Sequence, residues 1–465
     1  MIYDLLVKNG SIVTGKEITK GNICVLNGKI AAITMPDVES EAKEVVDAEG
    51  KYVYSGFIDT HVHSRDGGQT QKEDFFHSTM SAAYGGITTI LEMPNAVPAV
   101  VDKESFERQK ENLESKACID FGMWGLCVGK ENNDKLEELA KEGVVGFKFF
   151  WGYSISKSDY SLVYSPSSMG DGIIPPFGDG EIYEIFQKVQ ETGKLIAIHA
   201  ENASMIKSFT EQVNPADYKN EYEALLATRP SVTEETTIKT AISFSRATNA
   251  HLHILHVSSK EGVELIREAK AKGYHVTGES CPHYLTLTNG DFDRVGKMMK
   301  GYPPVRYQAD QDAMWTGLKD GTLSFVCSDH APHRKEDKQG SIFDIPAGMC
   351  AVETMVPLIA NEVNNGKISK QELAVILSEN PAKQYGLYPQ KGSLEIGTDA
   401  DITIMDFNQE KTIHADDLHS VSKVTAYDGF KVGAVPVCTI VRGNVLVKDG
   451  VMSEDKKIGK FIRPQ

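Results

Sequence analysis

The chain has 465 residues, of which 41% are hydrophobic and 25% are charged, the composition of a globular protein with one large domain and a smaller one. Its formal net charge of −16, with no basic tract, argues against nucleic acid or an anionic membrane as the main partner and favours a small molecule. Seven cysteines without CxxC pairs indicate buried thiols rather than disulfides or a thiolate metal site.

The N-terminal segment MIYDLLVKNGSIVTG lacks the basic region and apolar core of a secretory signal. The chain also has no run of about 18 or more apolar residues, the length that a membrane-spanning helix needs. We therefore expect a cytoplasmic protein without membrane partners.

Short β-like runs separated by turns occupy the start of the chain: YDLLVKNG, GNICVLNGKIAAI and KEVVDAEGKYV. Asn-Gly pairs at 9–10 and 27–28 favour tight hairpins. The same pattern returns only near the C-terminus, in ADITIMDF and PVCTIVRGNVLVKDGVM. Residues 1–52 and 391–465 are therefore predicted to form together one small β-sandwich domain.

Between these segments, apolar β-like runs alternate with stretches of helical periodicity such as SFERQKENLESK and KEGVELIREAKAKG. Eight such units over residues 53–390 predict an α/β fold, a TIM (β/α)8 barrel. The predicted strands are GFIDTHVH, GITTILEMPN, CIDFGMWGLCV, GVVGFKFFW, GKLIAIHAEN, AHLHILHVSS, YHVTGESCPHY and LSFVCSDHAPH. Catalytic side chains of such barrels lie at the C-terminal ends of the strands.

Residue types that bind metal ions recur at the ends of these predicted strands. His61 and His63, separated by one valine, would project both imidazoles from one face of a strand. Other strand ends carry Lys148, His199, His256 and Asp329, and also Asn95 and Glu279. An HxH pair alone can occur in a half-exposed strand, but together with these residues it predicts a site for a divalent metal.

Lys148 is an unusual candidate because an ammonium group cannot bind a metal ion. It is flanked by Phe147, Phe149 and Phe150, and an inward orientation would desolvate the amine and lower its pKa. A neutral amine can take up carbon dioxide to form a carbamate, an oxygen anion able to bridge two metal ions. The alternative is a lysine that reaches solvent or pairs with a buried carboxylate.

The ligand pattern, the strand order and the split β domain resemble those of the cyclic amidohydrolases: dihydroorotase, allantoinase, hydantoinase and dihydropyrimidinase. The resemblance covers essentially the whole chain and rests on GFIDTHVH, GITTILEMPN, GFKFF, HAEN, HVSSKEGVELI, ESCPHYL and SDHAPH. It implies two divalent ions, with zinc expected and manganese, cobalt or iron as alternatives. By this resemblance one ion is held by His61, His63, carboxylated Lys148 and Asp329, and the other by Lys148, His199 and His256.

The resemblance also implies hydrolytic opening of a cyclic amide. Asp329 would accept a proton from the attacking water and pass it to the departing ring nitrogen. A pure ligand or helix-cap role is the alternative for this residue. Tyr153 would donate a hydrogen bond to the developing oxyanion, with a packing role as its alternative.

The motifs differ on which ring is opened. Arg65, Asn95 and His333 match the dihydroorotase residues that bind the substrate carboxylate, a contact for which arginine is well suited. The segments GFKFF, HAEN, RPSVTEE and ESCPHYL look more like allantoinase and hydantoinase, and HSRDGG lacks the proline of the dihydroorotase pattern. The main prediction is a dihydroorotase-type enzyme acting on a carboxylate-bearing ring such as dihydroorotate. The alternative is an allantoinase or a hydantoinase/dihydropyrimidinase.

The segment 152–180, rich in Ser, Gly, Tyr and Pro, is predicted to form a lid over the barrel mouth, with an inert insertion as the alternative.

His251 and His253 have the opposite strand parity to His256 and are expected to face the helices. Some relatives of this fold have lost their metal ligands, so a non-catalytic oligomeric scaffold is a remote alternative. The resemblance also implies a homodimer or homotetramer.

Overall fold

The computed structural model describes residues 2–163, 172–454 and 456–465. The strands are β1 (Tyr3–Val13), β2 (Ile18–Leu26), β3 (Lys29–Thr34), β4 (Ala42–Asp47), β5 (Tyr52–Ser55), β6 (Phe57–Val62), β7 (Ile87–Glu92), β8 (Asp120–Met123), β9 (Gly125–Leu126), β10 (Phe147–Phe150), β11 (Ser154–Ser156), β12 (Leu162–Val163), β13 (Ile173–Ile174), β14 (Ile196–His199), β15 (Leu252–Ile254), β16 (Val276–Ser280), β17 (Phe325–Val326), β18 (Ile402–Asp406), β19 (Lys411–Thr412), β20 (Lys431–Val432), β21 (Val435–Val441), β22 (Asn444–Lys448) and β23 (Val451–Met452).

The α-helices are α1 (Phe75–Tyr84), α2 (Lys103–Glu114), α3 (Leu136–Glu142), α4 (Asp179–Glu191), α5 (Ala203–Gln212), α6 (Glu221–Thr228), α7 (Ser231–Thr248), α8 (Lys260–Ala271), α9 (Pro282–Thr286), α10 (Phe292–Val295), α11 (Gln308–Lys319), α12 (Met355–Asn364), α13 (Lys370–Ala374) and α14 (Asn380–Gln384). A π-helical turn, Val375–Glu379, joins the last two. Within the described ranges, every helix is too short or too polar to cross a membrane.

Parallel strands form a closed barrel and confirm the predicted TIM (β/α)8 fold. The strands follow one another around it in the order β6, β7, β8 with β9, β10, β14, β15, β16 and β17. β8 and β9 are two halves of one strand, interrupted at Trp124. A parallel bridge between Val62 and His330 closes the barrel between its last and first strands. The C-terminal ends of all these strands therefore meet at one mouth.

An apolar cluster fills the opposite end of the barrel. Its buried members are Ile58, Leu91, Met93, Trp124, Val145, Leu195, Ala197, Leu255, Phe325, Ala382, Tyr385 and Leu387. Val145 lies two residues before β10 and Leu195 directly before β14, which places this part of the cluster at the N-terminal ends of the strands, while Met93 and Leu255 follow the C-terminal ends of β7 and β15. Because packed side chains close that end, the interior is reached from the mouth. All seven cysteines are buried free thiols, as the sequence indicates.

The β domain is assembled from both termini, as predicted. Its sheet has nine strands in the order β23-β22-β21-β18-β5-β1-β2-β3, and β4 also pairs with β1. The N-terminal β5 pairs with the C-terminal β18, so neither terminal segment completes the sheet alone. β5 reaches Ser55, and the barrel begins at Phe57 after a single glycine. This close junction fixes the sheet against the first barrel strand.

The two Asn-Gly pairs have different structures. Asn27 and Gly28 connect β2 to β3 in a hairpin, as predicted. The hairpin prediction for Asn9 and Gly10 is wrong, because this pair lies inside β1, where the register with β2 shifts in a bulge. Asn9 has a φ of 62°, and a Cβ at Gly10 would collide with Val53 of β5. The asparagine and glycine therefore allow a bulge and a close strand approach rather than a chain reversal.

A buried lysine connects the base of the barrel to the C-terminal segment. Lys391 Nζ lies 2.5 Å from Asp120 Oδ2, 2.5 Å from Asp401 Oδ2 and 3.0 Å from Asp399 Oδ2. The lysine is 2% exposed, and the three carboxylates are buried. These carboxylates are close enough together to hold a cation, and the ammonium group serves as that cation. The network joins the barrel strand β8 to the segment that leads into β18.

We expect Lys391→Met to destabilise the fold by about 3–5 kcal/mol, because it would leave the buried Asp401 carboxylate without a cation, whereas Asp120 keeps Arg442 and Asp399 keeps Lys29. Denaturant unfolding of the variant measures this loss. Lys383→Met is the matched control, since the exposed Lys383 pairs with Glu379 within one helical stretch and should change stability by less than about 1 kcal/mol. Equal unfolding midpoints for the two variants would contradict a role for Lys391 in holding the domains together.

Candidate active site

The predicted metal ligands lie together at the mouth of the barrel. Each stands at or just beyond the C-terminal end of a strand, where the barrel backbone holds its side chain toward a common centre. They line one cleft: His61, His63, Lys148, His199, His256 and Asp329.

Three of these residues form one group of donor atoms. Asp329 Oδ1 lies 3.3 Å from His61 Nε2 and 3.6 Å from His63 Nε2. Burial lowers the pKa of His63 to about 4, so its imidazole is neutral at physiological pH. Burial alone would raise the pKa of Asp329, but the two histidines outweigh this effect and hold the pKa well below its usual range. Neutral imidazoles and an ionised carboxylate are the forms that bind metal ions.

His199 and His256 form a second group. His199 Nδ1 lies 3.1 Å from His256 Nε2, and the ring centroids are 4.8 Å apart. Burial lowers the pKa of both imidazoles. His256 Nδ1 is buried and has no hydrogen-bond partner among the described residues. Two neutral rings that face each other with nitrogen atoms at this distance suit a shared cation.

Three of the histidines have a hydrogen-bond acceptor at the nitrogen that faces away from the centre. The contacts are His61 Nδ1 to Glu279 Oε1 (3.0 Å), His63 Nδ1 to Asn95 Oδ1 (2.7 Å) and His199 Nε2 to Glu201 Oε2 (3.0 Å). When the nitrogen that faces away from the centre donates a hydrogen bond, the nitrogen that faces the centre is unprotonated and keeps its lone pair. The acceptors therefore fix both the ring orientation and the tautomer that binds a metal.

Lys148 is a deeply buried lysine in the lining of the cleft. It is 1% exposed, and its Nζ lies 4.5 Å from the centroid of the Phe150 ring. Burial lowers the pKa of the amine to about 7, and the carboxylates of Asp329 and Glu279 only partly oppose this shift. A large share of the amine is therefore unprotonated near neutral pH, which is the nucleophilic form.

The prediction that His251 and His253 face the helices is wrong. His253 lies inside the barrel, with its ring centroid 5.4 Å from that of Phe325 and its Nε2 3.3 Å from Glu279 Oε2. His251 Nε2 lies 3.3 Å from Thr277 Oγ1, which also contacts His253. The strand alternation stops after Ile254, and a φ of 38° at His256 turns that side chain back toward the mouth. Strand alternation counted back from His256 therefore assigned His251 and His253 to the wrong face of the strand, because the backbone between them is irregular.

Tyr153 lines the cleft beside the second group of histidines. Its ring centroid lies 5.1 Å from that of His199, in an edge-on arrangement. This position is compatible with the predicted contact to the reacting carbonyl, which stays a prediction.

The three residues predicted to bind a substrate carboxylate have different surroundings. Arg65 and Asn95 line the cleft, and Asn95 accepts the bond from His63. His333 is 5% exposed and donates from Nε2 to Ala347 O at 3.0 Å. Arg65 Nη2 lies 3.4 Å from the same Nε2, and Arg65 Nε donates to Pro332 O. Of the three side chains, Arg65 is the one whose charge borders the cleft.

Sequence reasoning did not assign roles to Glu201, Arg229 and Tyr302. Glu201 accepts from His199, Arg229 donates to Glu201, and Tyr302 lines the cleft. The one signal for Glu201 was its position two residues after a predicted ligand in HAEN. Arg229 lies 30 residues beyond His199, a separation that follows no local pattern.

The segment predicted to form a lid is described for residues 152–163 and 172–180. β11 pairs with both β12 and β13 in a small antiparallel sheet, and Leu162 lines the cleft. Residues 164–171 of this prediction lie outside the described residues. The lid function stays a prediction.

The closed barrel carries at its mouth histidine, lysine and aspartate side chains, the residue types that can hold metal ions. The profile of the amidohydrolase family matches residues 52–446. An L-hydantoinase of Paenarthrobacter aurescens is 34% identical over 466 residues, covering 99% of this chain and 98% of the relative. An allantoinase of Enterococcus faecalis is 35% identical over 474 residues, covering 100% of both chains.

Solved structures show the same likeness. The L-hydantoinase (dihydropyrimidinase) from Arthrobacter aurescens superposes with a TM-score of 0.91 at 34% identity, covering 99% of this chain and 100% of that one. A D-hydantoinase superposes with a TM-score of 0.88 at 30% identity, covering 99% of this chain and 98% of that one. The chain belongs to the amidohydrolase family, in the group of the cyclic amidohydrolases, and the resemblance seen in its motifs is confirmed.

Proposed function

We propose that the protein hydrolyses the ring amide of a 5-substituted hydantoin, a class that includes allantoin, which is 5-ureidohydantoin. The observation that carries this proposal is that the six predicted metal ligands line one cleft of a chain that matches a hydantoinase and an allantoinase along their full lengths. These relatives favour the alternative prediction over the dihydroorotase-type reading.

The residues at the mouth fit two divalent metal ions, and we expect zinc. His61, His63 and Asp329 would hold one ion, His199 and His256 the other, and carboxylated Lys148 would bridge them. The facing nitrogens of His199 and His256 and the partly buried carboxylate of Asp329 between His61 and His63 support this assignment. When bound, such a pair would lower the pKa of water and polarise the substrate carbonyl.

Carboxylation of Lys148 follows from the state of its amine. The unprotonated Nζ would add to the carbon of carbon dioxide, forming an N–C bond and releasing a proton. The product is a carbamate, whose two oxygens can bind metal ions. An ammonium group at the same position has no lone pair and could not act as a ligand. The pKa of about 7 supports this step, because it leaves free amine at the pH where carbon dioxide is available.

Asp329 is the proton carrier in the proposed reaction. Its carboxylate would accept a proton as water adds to the ring carbonyl, and Tyr153 would donate a hydrogen bond to the oxygen that becomes negative. Asp329 would then give the proton to the ring nitrogen as the carbon–nitrogen bond breaks. The product is an N-carbamoyl amino acid, whose new carboxylate comes from the ring carbonyl and whose new NH2 comes from the ring nitrogen.

A substrate panel tests the proposal. Purified protein loaded with zinc is given 5-benzylhydantoin, allantoin, dihydrouracil and dihydroorotate, and ring opening is followed in the low ultraviolet. We expect the highest kcat/KM for one of the two hydantoins. A kcat/KM for dihydroorotate above that for both hydantoins would overturn the proposal and restore the dihydroorotase-type reading.

Arg65→Met separates the two substrate classes within one protein. If Arg65 binds a substrate carboxylate, the variant should lose about 2–5 kcal/mol in kcat/KM for dihydroorotate, the cost of breaking a buried charged pair. With an uncharged hydantoin as substrate, we expect a loss of less than about 1.4 kcal/mol, or tenfold, because no carboxylate loses its partner. Equal losses for both substrates would show that Arg65 acts on the fold of the cleft rather than on a charge.

The sequence predictions of a homodimer or homotetramer and of a cytoplasmic location complete the proposal. Sedimentation of the purified protein measures the first, and fractionation of cells measures the second.

A further inference from the structure

We propose that Arg229 is a positioning residue that holds the metal-binding ring of His199, through Glu201, and at the same time the substrate-facing ring of Tyr302. The inference rests on the proposed function and deepens it, because it assigns one side chain to both the metal site and the wall of the substrate cleft.

The first half of this arrangement is a buried chain of charged contacts. Arg229 Nη1 donates to Glu201 Oε2 at 2.5 Å, and His199 Nε2 contacts the same oxygen at 3.0 Å. Glu201 is 2% exposed, and its Oε1 has no hydrogen-bond partner among the described residues. Arg229 therefore places a positive charge and a hydrogen-bond donor directly on the carboxylate that contacts the ring of His199.

The second half is a stacking contact. The guanidinium carbon of Arg229 lies 3.4 Å from the centroid of the Tyr302 ring, and Tyr302 lines the same cleft as the metal-binding residues. A planar guanidinium can stack on an aromatic face while its edge donates hydrogen bonds, which an ammonium group cannot do. The planar face of the Arg229 guanidinium thus packs on the ring of Tyr302, while an N–H on its edge donates to Glu201.

The backbone around Arg229 is itself fixed. The residue caps α6, and Pro230 caps the following α7. Arg306 Nη1 donates to Arg229 O at 2.7 Å, and Arg306 Nε donates to Ser258 Oγ at 3.0 Å. Two helix ends and the buried Arg306 therefore hold the backbone of Arg229 at one place, as a positioning role requires.

Removing Arg229 should affect the two sides separately. Glu201 would lose the guanidinium that holds its carboxylate in place, so the ring of His199 would lose its fixed orientation and tautomer. Loss of such an outer partner typically costs 10 to 100-fold in metal affinity. Tyr302 would lose the group that supports its ring, so substrate binding should weaken as well.

The test titrates metal-free protein with Zn²⁺ in competition with a chromophoric chelator, and separately measures KM and kcat for 5-benzylhydantoin. In Arg229→Gln we expect one of the two zinc equivalents to bind about 10 to 100-fold more weakly, with the other unchanged, and KM to rise. Arg267→Gln is the matched control, since it makes the same chemical change at an exposed pair with Asp320. It should leave both measurements at the wild-type values.

Two further variants separate the two contacts. Arg229→Lys keeps a positive charge for Glu201 but lacks the planar group, so zinc binding should stay closer to wild type than in Arg229→Gln while KM rises. Tyr302→Leu should raise KM and leave both zinc equivalents unchanged. These differences distinguish positioning from a general loss of structure, which would alter both measurements together.

Unchanged affinity of both zinc equivalents in Arg229→Gln would overturn the inference, as would an equal weakening of both together with a lower melting temperature. If Arg229→Gln does not fold, Glu201→Gln replaces it, and undiminished zinc binding in that variant would be equally contrary. If wild-type protein opens neither hydantoin nor allantoin, the proposed function fails. In that case the zinc titration still tests whether Arg229 positions His199, because it does not depend on a substrate.

Discussion

Lys148→Ala should lose most of the bound zinc and most of the activity. The substitution removes the group expected to bridge both ions, so the loss should exceed the roughly 10 to 100-fold that removal of an outer partner costs. Metal analysis of the purified variant and its kcat/KM for the best substrate of the panel measure the two effects. Full metal content in the variant would show that Lys148 does not contribute a ligand.

A chemical rescue makes this experiment more specific. A short carboxylic acid such as propionate, added with Zn²⁺, can place a carboxylate in the space left by the lysine and should restore part of the activity of Lys148→Ala. Lys194→Ala is the matched control, because this half-buried lysine precedes β14 at the opposite end of the barrel. It should keep its zinc and show no response to propionate.

Asp329→Asn should lower kcat by at least the roughly 10² to 10⁴-fold typical of general acid–base catalysis. The amide keeps the shape of the side chain and one oxygen donor beside His61 and His63, but it cannot carry a proton between water and the ring nitrogen. The kcat of zinc-loaded protein measures the effect, and metal analysis shows whether the site is still filled.

Asp320→Asn provides the comparison for this variant, because Asp320 lies at the end of α11 and pairs with the partly exposed Arg267. It should turn over at the wild-type rate. Near-normal turnover in a metal-loaded Asp329→Asn protein would remove Asp329 from proton transfer and leave it as a ligand alone.

The barrel and the positions of the candidate ligands could be predicted from the sequence because both depend on local patterns. Apolar runs of strand length alternate with helical periodicity, and a parallel barrel brings the C-terminal ends of all its strands to one mouth. His61, Lys148 and His199 could therefore be grouped without knowledge of their distances. The pairing of the two terminal segments followed from the same reasoning, since both carry the turn-rich β pattern.

Local patterns failed where the backbone departs from regular geometry. A bulge in β1 uses the Asn9-Gly10 pair that favours a hairpin in other contexts, and the positive φ of His256 breaks the alternation that assigned His253 to the outer face. In both cases the deciding contact comes from a distant part of the chain. Val53 packs against Gly10, and Glu279 lies beside His253.

The fold, the family and the candidate metal ligands could all be predicted from residue types and their positions on strands. The contacts of each of these residues became known only from the folded chain. Asn95 and His333, predicted to bind substrate, bond to His63 and Ala347, while Arg229 reaches both Glu201 and Tyr302. Such contacts join side chains that are distant in sequence, so their distances and burial are set by the packing of the whole barrel.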